Sequence, residues 1–280
     1  MFLQPSVVSD APLMRITVST IGALCLAFAL SAPGSAHEVP DPAIRHNARD
    51  GVVRLYGAGG PDTAFKKVAE VFTKETGIAV EVTGGPEPTW SRKAQADADI
   101  LWGTAEEDIT ALLETYKDFS WNDVMPIYIR PTVIAVKKGN PKGIRGFADL
   151  LKDGIRIVVT EGAGIANTSG TGTWEDVAGR AGKLDDVKRF RKNIVGFGKG
   201  SGPSYTMFVD KNADAWITWP DWPITHADQA DLVALSDDRE IWRDVNVVLA
   251  SDADPQARRF IDFLVSDRGA AIMKTEGWTR

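Results

Sequence analysis

The chain has 280 residues, with 32 Lys and Arg against 38 Asp and Glu, one Cys and three His. A net charge of −6 leaves no basic surplus for a polyanion, which excludes a general nucleic-acid binder, and a lone Cys makes neither an internal disulfide nor a thiolate metal cluster. A hydrophobic content of 44% supplies a full core, and the length allows one large domain or two lobes of roughly 100–150 residues each.

Residues 14–36 read MRITVSTIGALCLAFALSAPGSA. Arg15 gives a positive start, residues 21–30 form an apolar run too short to span a bilayer comfortably, and Gly34 and Ala36 suit the −3 and −1 positions of a signal peptidase site. The expectation is a signal peptide over residues 1–36, with Met14 as an alternative start. Cys25 lies inside the apolar run, so the exported body carries no Cys.

From there short apolar runs alternate with amphipathic stretches, the pattern of an α/β protein. Residues 52–56 (VVRLY) predict a strand, and Gly57-Ala58-Gly59-Gly60 a turn. Residues 61–76 place Phe65, Val68, Ala69 and Phe72 at helical spacing, with Pro61 at the start and Gly77 at the stop. Residues 78–82 predict the next strand, 90–96 a helix and 99–102 (DILW) a third strand, so a parallel sheet is expected. Residues 130–136 read as extended. Strands follow over 155–159, 194–197 and 213–219, with helices opening near Thr173 and Ser201, another extended run over 243–249 and a helical C-terminus over 255–275. Two strand–helix units recur in each half, which suggests two similar lobes.

Four strand-to-helix turns are rich in Gly, Pro and hydroxyl groups: residues 57–61, 84–89, 167–173 and 201–204. Free N–H groups at helix starts attract anions, Gly admits close backbone approach, and Ser and Thr add donors. In parallel sheets such turns gather at the carboxyl ends of the strands. An acidic protein can hold an anion only through local dipoles of this kind. Asp62, just after Gly60, would repel an anion unless it points away. A dinucleotide reading of Gly57–Gly60 is weak, because Asp62 occupies the place of the third glycine.

The run Trp216-Ile217-Thr218-Trp219-Pro220-Asp221-Trp222 puts Trp216 in the core by alternation and Trp219 at the strand end, as a pocket wall. Trp90 and Trp102 sit near strand ends. Arg130 lies where the chain first crosses between lobes, placed either to pair with an anion or on the surface. The cluster at 188–192 (KRFRK) reads as a solvated helix face. His226 is the only body histidine and no G-x-S-x-G accompanies it, so no nucleophilic hydrolase, no metal site and no cofactor is expected.

The strings VRLYGAGGPDTAFKKVA (53–69), GGPEPTW (84–90), DADILWG (97–103), GNPKGIRGFADL (139–150), RIVVTEGAGIANTSGTGTWED (156–176) and ADAWITWPDW (213–222) resemble the accessory colonization factor AcfC family, type II periplasmic solute-binding proteins related to the molybdate and sulfate binders. The resemblance implies two α/β lobes, parallel-rich sheets flanked by helices, and two crossover strands as a hinge, near residues 128–136 and 244–249. It implies lobe 1 over 50–131 plus 247–280 and lobe 2 over 132–246. It implies ligand contacts at Gly59, Gly60, Thr89, Trp90, Thr168, Ser169, Gly170, Thr171, Ser201, Gly202 and Trp219. The molybdate binders carry serines in the first two loops, where this chain has Gly59, Gly60 and Pro88.

The expectation is a non-catalytic periplasmic receptor that closes on a small anion, a sulfate- or molybdate-like oxyanion or a small organic acid. Its partners would be an inner-membrane ABC permease or a sensor, and it would act as a monomer. Two rivals stand beside it: an exported enzyme using Asp62, Glu87 or Asp221 on a nucleotide or sugar, and an interaction protein that has lost its ligand.

Overall fold

Two five-stranded sheets organise the chain in a computed structural model that describes residues 40–161 and 170–280. The expected signal peptide lies outside the described residues. The first sheet begins with β1 (Val52–Gly57), helix α1 (Asp62–Thr76), β2 (Ala79–Gly84), a 3-10 turn (Glu87–Thr89), α2 (Ser91–Asp97), β3 (Ile100–Gly103), α3 (Glu106–Thr115) and β4 (Met125–Pro131). The second holds β5 (Val133–Lys137), α4 (Phe147–Leu150), β6 (Ile157–Glu161), α5 (Thr173–Gly179), α6 (Leu184–Lys192), β7 (Ile194–Lys199), α7 (Ser201–Asp210), β8 (Ala215–Thr218), α8 (Asp221–Thr225) and β9 (Ala230–Ala234). The chain then returns to the first sheet through β10 (Trp242–Leu249) and ends in α9 (Pro255–Leu264) and α10 (Asp267–Thr275).

The strand orders are β2-β1-β3-β10-β4 and β7-β6-β8-β5-β9. β1 pairs parallel with β2 and β3, and β6 parallel with β7 and β8. β10 and β5, by contrast, run antiparallel to both of their neighbours. Each sheet is therefore mixed, where continuous strand–helix grammar predicted parallel pairing. The antiparallel strands are those entered from the other sheet rather than through a local crossover helix.

Helix α1 shows how local chemistry sets the elements. Pro61 opens it, Gly77 closes it in the left-handed conformation at φ 74°, and Gly77 N–H donates to Thr73 O. Ala64, Phe65, Val68, Ala69 and Phe72 are buried along one stripe. Phe72 meets Phe260 of α9 edge-to-face with centroids 5.4 Å apart, and burying such a ring stabilises by about 1.5–3 kcal/mol. Alternation on β1 and β3 sends Leu55, Ile100 and Trp102 to the core shared with α1 and α9. It sends Tyr56 and Leu101 to the opposite core, shared with α2 and α3. In β8 Ile217 and Trp216 divide between two cores in the same way, and Trp216 donates its Nε1–H to Thr160 Oγ1 at 3.2 Å.

Three departures from the sequence expectations bear on the site. The extended run predicted over 130–136 is two strands of different sheets, meeting at Thr132. The return passage runs over residues 235–241, and β10 pairs in the first sheet from Trp242 onward, so the division expected at 247 falls inside that strand. Helix α3 and strand β9 were not anticipated. The two passages are tied together: Thr132 N–H donates to Ile241 O at 2.8 Å, and Ile241 N–H donates to Thr132 Oγ1 at 3.0 Å. Among the described residues no helix is long and apolar enough to cross a membrane.

Candidate functional site

Three of the four glycine-rich turns, at 57–61, 84–89 and 201–204, lie at carboxyl ends of strands, following β1, β2 and β7. In the first sheet, the β1–α1 turn and the β2 turn are adjacent. Gly85 N–H donates to Gly57 O at 3.1 Å, and a Cβ on Gly59 would reach Gly85 Cα at 3.8 Å. Gly59 is exposed and Gly60 half-buried. In the second sheet, a Cβ on Gly170 would meet Ser201 Oγ at 3.0 Å, so the loop leading to α5 adjoins the start of α7. A buried hydroxyl chain supports that pair: Thr160 Oγ1 donates to Ser204 Oγ at 2.8 Å, and Ser204 Oγ is 2.8 Å from Gly200 O. Thr171 is half-buried and Gly202 exposed. Thr168 and Ser169 lie outside the described residues.

Arg130 joins the first group to the second sheet. It is the penultimate residue of β4, its side chain is 1% exposed, and its Nη1 is paired with the Asp221 carboxylate at the start of α8. The guanidinium carbon lies 4.8 Å from the centroid of the Trp219 ring and 4.3 Å from that of Trp278. A Cβ on Gly60 would come within 2.8 Å of Arg130 Nη2, so the β1–α1 turn passes directly over the cation. Of the two positions open for Arg130, the structure takes the interior one.

Burial works against both charges. It pushes the Asp221 carboxyl above the usual carboxylate range and the Arg130 guanidinium below its own, and their mutual attraction opposes both shifts. Asp108, buried at the start of α3, adds to the field that favours the cation. Asp108 in turn accepts from Thr104 Oγ1 and, at 3.2 Å, from Thr104 N–H.

The other predicted residues have quieter positions. Thr89 is exposed, and its hydroxyl donates to Pro86 O at 2.7 Å, closing its own turn. Trp90 is buried, stacks on Tyr116 with centroids 6.0 Å apart, and donates Nε1–H to Gly85 O at 3.1 Å. It is a brace for the β2 turn, because its one donor is already used in the core. Trp102 braces the first turn likewise, donating to Ala58 O at 2.7 Å. The Asp62 side chain packs against Gly84, where the second glycine-rich turn opens, and pairs with Lys66 at 2.9 Å.

The three carboxylates of the enzyme reading are engaged separately, Asp62 with Lys66, Glu87 with the Tyr116 hydroxyl at 3.1 Å, and Asp221 with Arg130. His226 Nδ1 lies 3.0 Å from Trp222 O within a Tyr205–Trp222 aromatic cluster. Among the described residues no group of acidic, His or Cys side chains is arranged to hold a metal ion.

Sequence reasoning missed Trp278 at the site. The residue sits past the last helix with no periodicity around it. Its placement depends on Gly277, whose φ of +85° admits the turn and whose Cα faces Pro220 across the sheets too closely for any side chain.

The comparisons with known proteins bear on the fold and the family. PEB3 of Campylobacter jejuni is 41% identical, and its crystal structures align over 81% of this chain and 99% of that one. The TM-score is 0.77 for the form bound to L-phospholactate. A thiosulfate-binding protein of Pseudomonas aeruginosa is 26% identical over 209 residues, 62% of this chain and 59% of that protein. The chain thus spans about three fifths of that curated relative's length. The periplasmic molybdate-binding protein of Azotobacter vinelandii, 17% identical with a TM-score of 0.60, shares the fold, that of the type II periplasmic binding proteins. The profile of the bacterial extracellular solute-binding proteins matches residues 53–279, from β1 through the tryptophan that stacks on Arg130. Two mixed sheets, paired glycine-rich turns and a buried arginine between them are thus the form taken here by a member of the bacterial extracellular solute-binding protein family.

Proposed function

We propose that the chain is a periplasmic receptor that captures a small anion between its two sheets and delivers it to an inner-membrane ABC permease or a sensor. The observation that carries this reading is the convergence on Arg130 of Gly60 from one sheet and of Trp219 and Asp221 from the other. A cation held at the meeting line of two glycine-rich loop sets is a site that only both halves together complete. A ligand touching both would favour the closed arrangement.

The donors would be the backbone N–H groups of Gly59 and Gly60, those of Ser201 and Gly202 at the start of α7, the Gly170–Thr171 turn, and the Thr168 and Ser169 hydroxyls. Trp219 forms the wall. The lobes follow the sheets: the first holds residues 50–131 and those from Trp242, the second those between. The AcfC-like strings support membership of that subgroup by resemblance, and residues 1–36 would be its export signal, leaving a monomer in the periplasm.

The ligand class follows from the donor set. Glycines stand where the molybdate binders carry serines, so the first loop offers few hydroxyls, and the space beside Gly60 is taken by Arg130. The hydroxyl donors of the molybdate binders are therefore missing, and an organic anion is the better candidate. The L-phospholactate held by the 41% identical relative points the same way. The test is a thermal-shift series on protein refolded to strip carried-over ligand, with sulfate, thiosulfate, molybdate, phosphate, L-lactate and L-phospholactate. Ligand at 100 times Kd adds about 2.7 kcal/mol to stability. A selective rise with L-phospholactate is expected. A series flat for every anion would sink the receptor reading.

A further inference from the structure

We propose that binding of the anion at Arg130 is coupled to uptake of a proton from solvent by the Asp221 carboxylate, so that the protein holds its ligand more tightly as pH falls. This rests on the receptor reading above.

The charges around Arg130 are unequal before any ligand arrives. Three carboxylates are buried there: Asp221 at 8% exposure, Asp108 at 7% and Glu276 at 3%. Asp108 acts on Arg130 from α3, and Glu276 acts on Asp221 from just past α10. Two cations answer them, the buried Arg130 of β4 and the exposed Lys67 of α1, which pairs with Glu276. Two positive charges against three negative leave an excess of one negative charge. An incoming anion adds to that excess where water cannot screen it.

The three carboxylates differ in what holds their charge. Asp108 accepts from the hydroxyl and the N–H of Thr104. Glu276 accepts from Lys67 and, at 3.3 Å, from Thr275 Oγ1. Both therefore have donors other than Arg130. Asp221 is held by Arg130, with its own backbone N–H as the further donor. Burial pushes its carboxyl above the usual carboxylate range, and attraction to Arg130 is the strongest influence against that rise. Once an anion oxygen takes the guanidinium, that attraction is shared while Glu276 still repels. Asp221 is then the group that gives way. The Arg130 Nη1 hydrogen bond passes from Asp221 to the anion, a solvent proton joins the carboxylate, and the neutral carboxyl gains an O–H that the same anion can accept. The liganded state holds the extra proton, so affinity rises as pH falls and weakens as pH rises.

The test is titration calorimetry of wild type and Asp221→Asn in buffers of differing ionisation enthalpy, with sulfate and L-phospholactate as probes. It is joined to infrared difference spectra of wild type carrying 13C-carboxyl aspartate. Sulfate stays a dianion near neutrality and cannot itself take the proton, whereas a phosphoryl group titrates at about pH 6. Wild type should take up roughly one proton per anion, with affinity changing about ten-fold per pH unit inside the coupled window. A protonated aspartic carboxyl band should appear on saturation. Asp221→Asn should lose that band and, with sulfate, the uptake. Wild-type binding without uptake or without the aspartic band, or sulfate-linked uptake retained in Asp221→Asn, overturns the coupling and leaves the receptor reading standing. The wild-type spectrum decides alone if the variant does not fold. A wild type that binds neither probe overturns both.

Discussion

Arg130, the penultimate residue of β4, is ion-paired with Asp221, the first residue of α8, and this pair links the two sheets from inside. A buried pair of this kind contributes little net stability, but breaking it is costly because one charge is left stranded. The consequences can be measured.

Asp221→Asn should remove the countercharge and leave Arg130 buried alone. A loss of about 3 kcal/mol follows, or a fall in melting temperature of roughly 10 °C. Added phosphate should raise the melting temperature of this variant more than that of wild type, because an external anion can take the vacated role. Equal responses in the two proteins would show that anions do not reach Arg130.

Gly60→Ala and Gly59→Ala form a matched pair. At Gly60 the new methyl would lie 2.8 Å from Arg130 Nη2, and the guanidinium is fixed by two rings and a carboxylate, so it cannot swing aside. Overpacking should cost about 1–3 kcal/mol and disturb anion binding. At Gly59 the methyl meets Gly85 Cα at an ordinary 3.8 Å, so stability should barely change. Denaturant melts of both variants check this, and equal losses would contradict it.

Asp99 gives a pH dependence with a defined sign. Its carboxyl is fully buried and pushed up to about 6, with burial as the main cause, opposed by backbone N–H donors from Arg54 and Asp254. A carboxyl raised in the folded state binds its proton more tightly there than in the unfolded chain. Its contribution is therefore present below about pH 4 and lost as pH rises through about 6. The stability of wild type relative to Asp99→Asn should fall across that window in urea melts at successive pH values. A rising or flat difference would contradict the assignment.

Thr132→Val keeps the shape of the side chain and removes the acceptor for Ile241 N–H. A buried N–H left unsatisfied should cost about 1–3 kcal/mol, with faster hydrogen exchange at Ile241. Unchanged exchange would mean that another group, such as water, takes over the bond.

How much of this was legible in the sequence depends on how local each determinant is. Helix α1 could be read in full, because Pro61, Gly77 and the Phe65–Phe72 stripe are contained in its own sixteen or so residues. The glycine-rich turns at 57–61, 84–89 and 201–204 could be read for the same reason. Strand β9 was not, since ADLVA has an alternating burial set only by pairing with β5, and α3 was hidden by its mostly polar first turn. At the site, Arg130 and Trp219 were visible as candidates because a basic residue and an aromatic fell at strand ends. Trp278 was not. Its position depends on a left-handed glycine and on Pro220, more than fifty residues upstream. Trp90 shows the opposite failure: a tryptophan near a strand end looks like a wall, yet its indole is satisfied by Gly85 O.

The paired hydrogen bonds of Thr132 and Ile241 have a mechanical consequence. Two independent linkers would let the halves of the molecule shear, twist and tilt in any combination. Two linkers stitched at a single crossing, each continuing at once into a strand of a different sheet, leave one fold line. Along it, on the receptor reading proposed above, occupancy would become an angle. Any pair of dyes placed on opposite sheets should then report the same equilibrium whatever positions are chosen, which makes the chain a natural frame for an optical sensor.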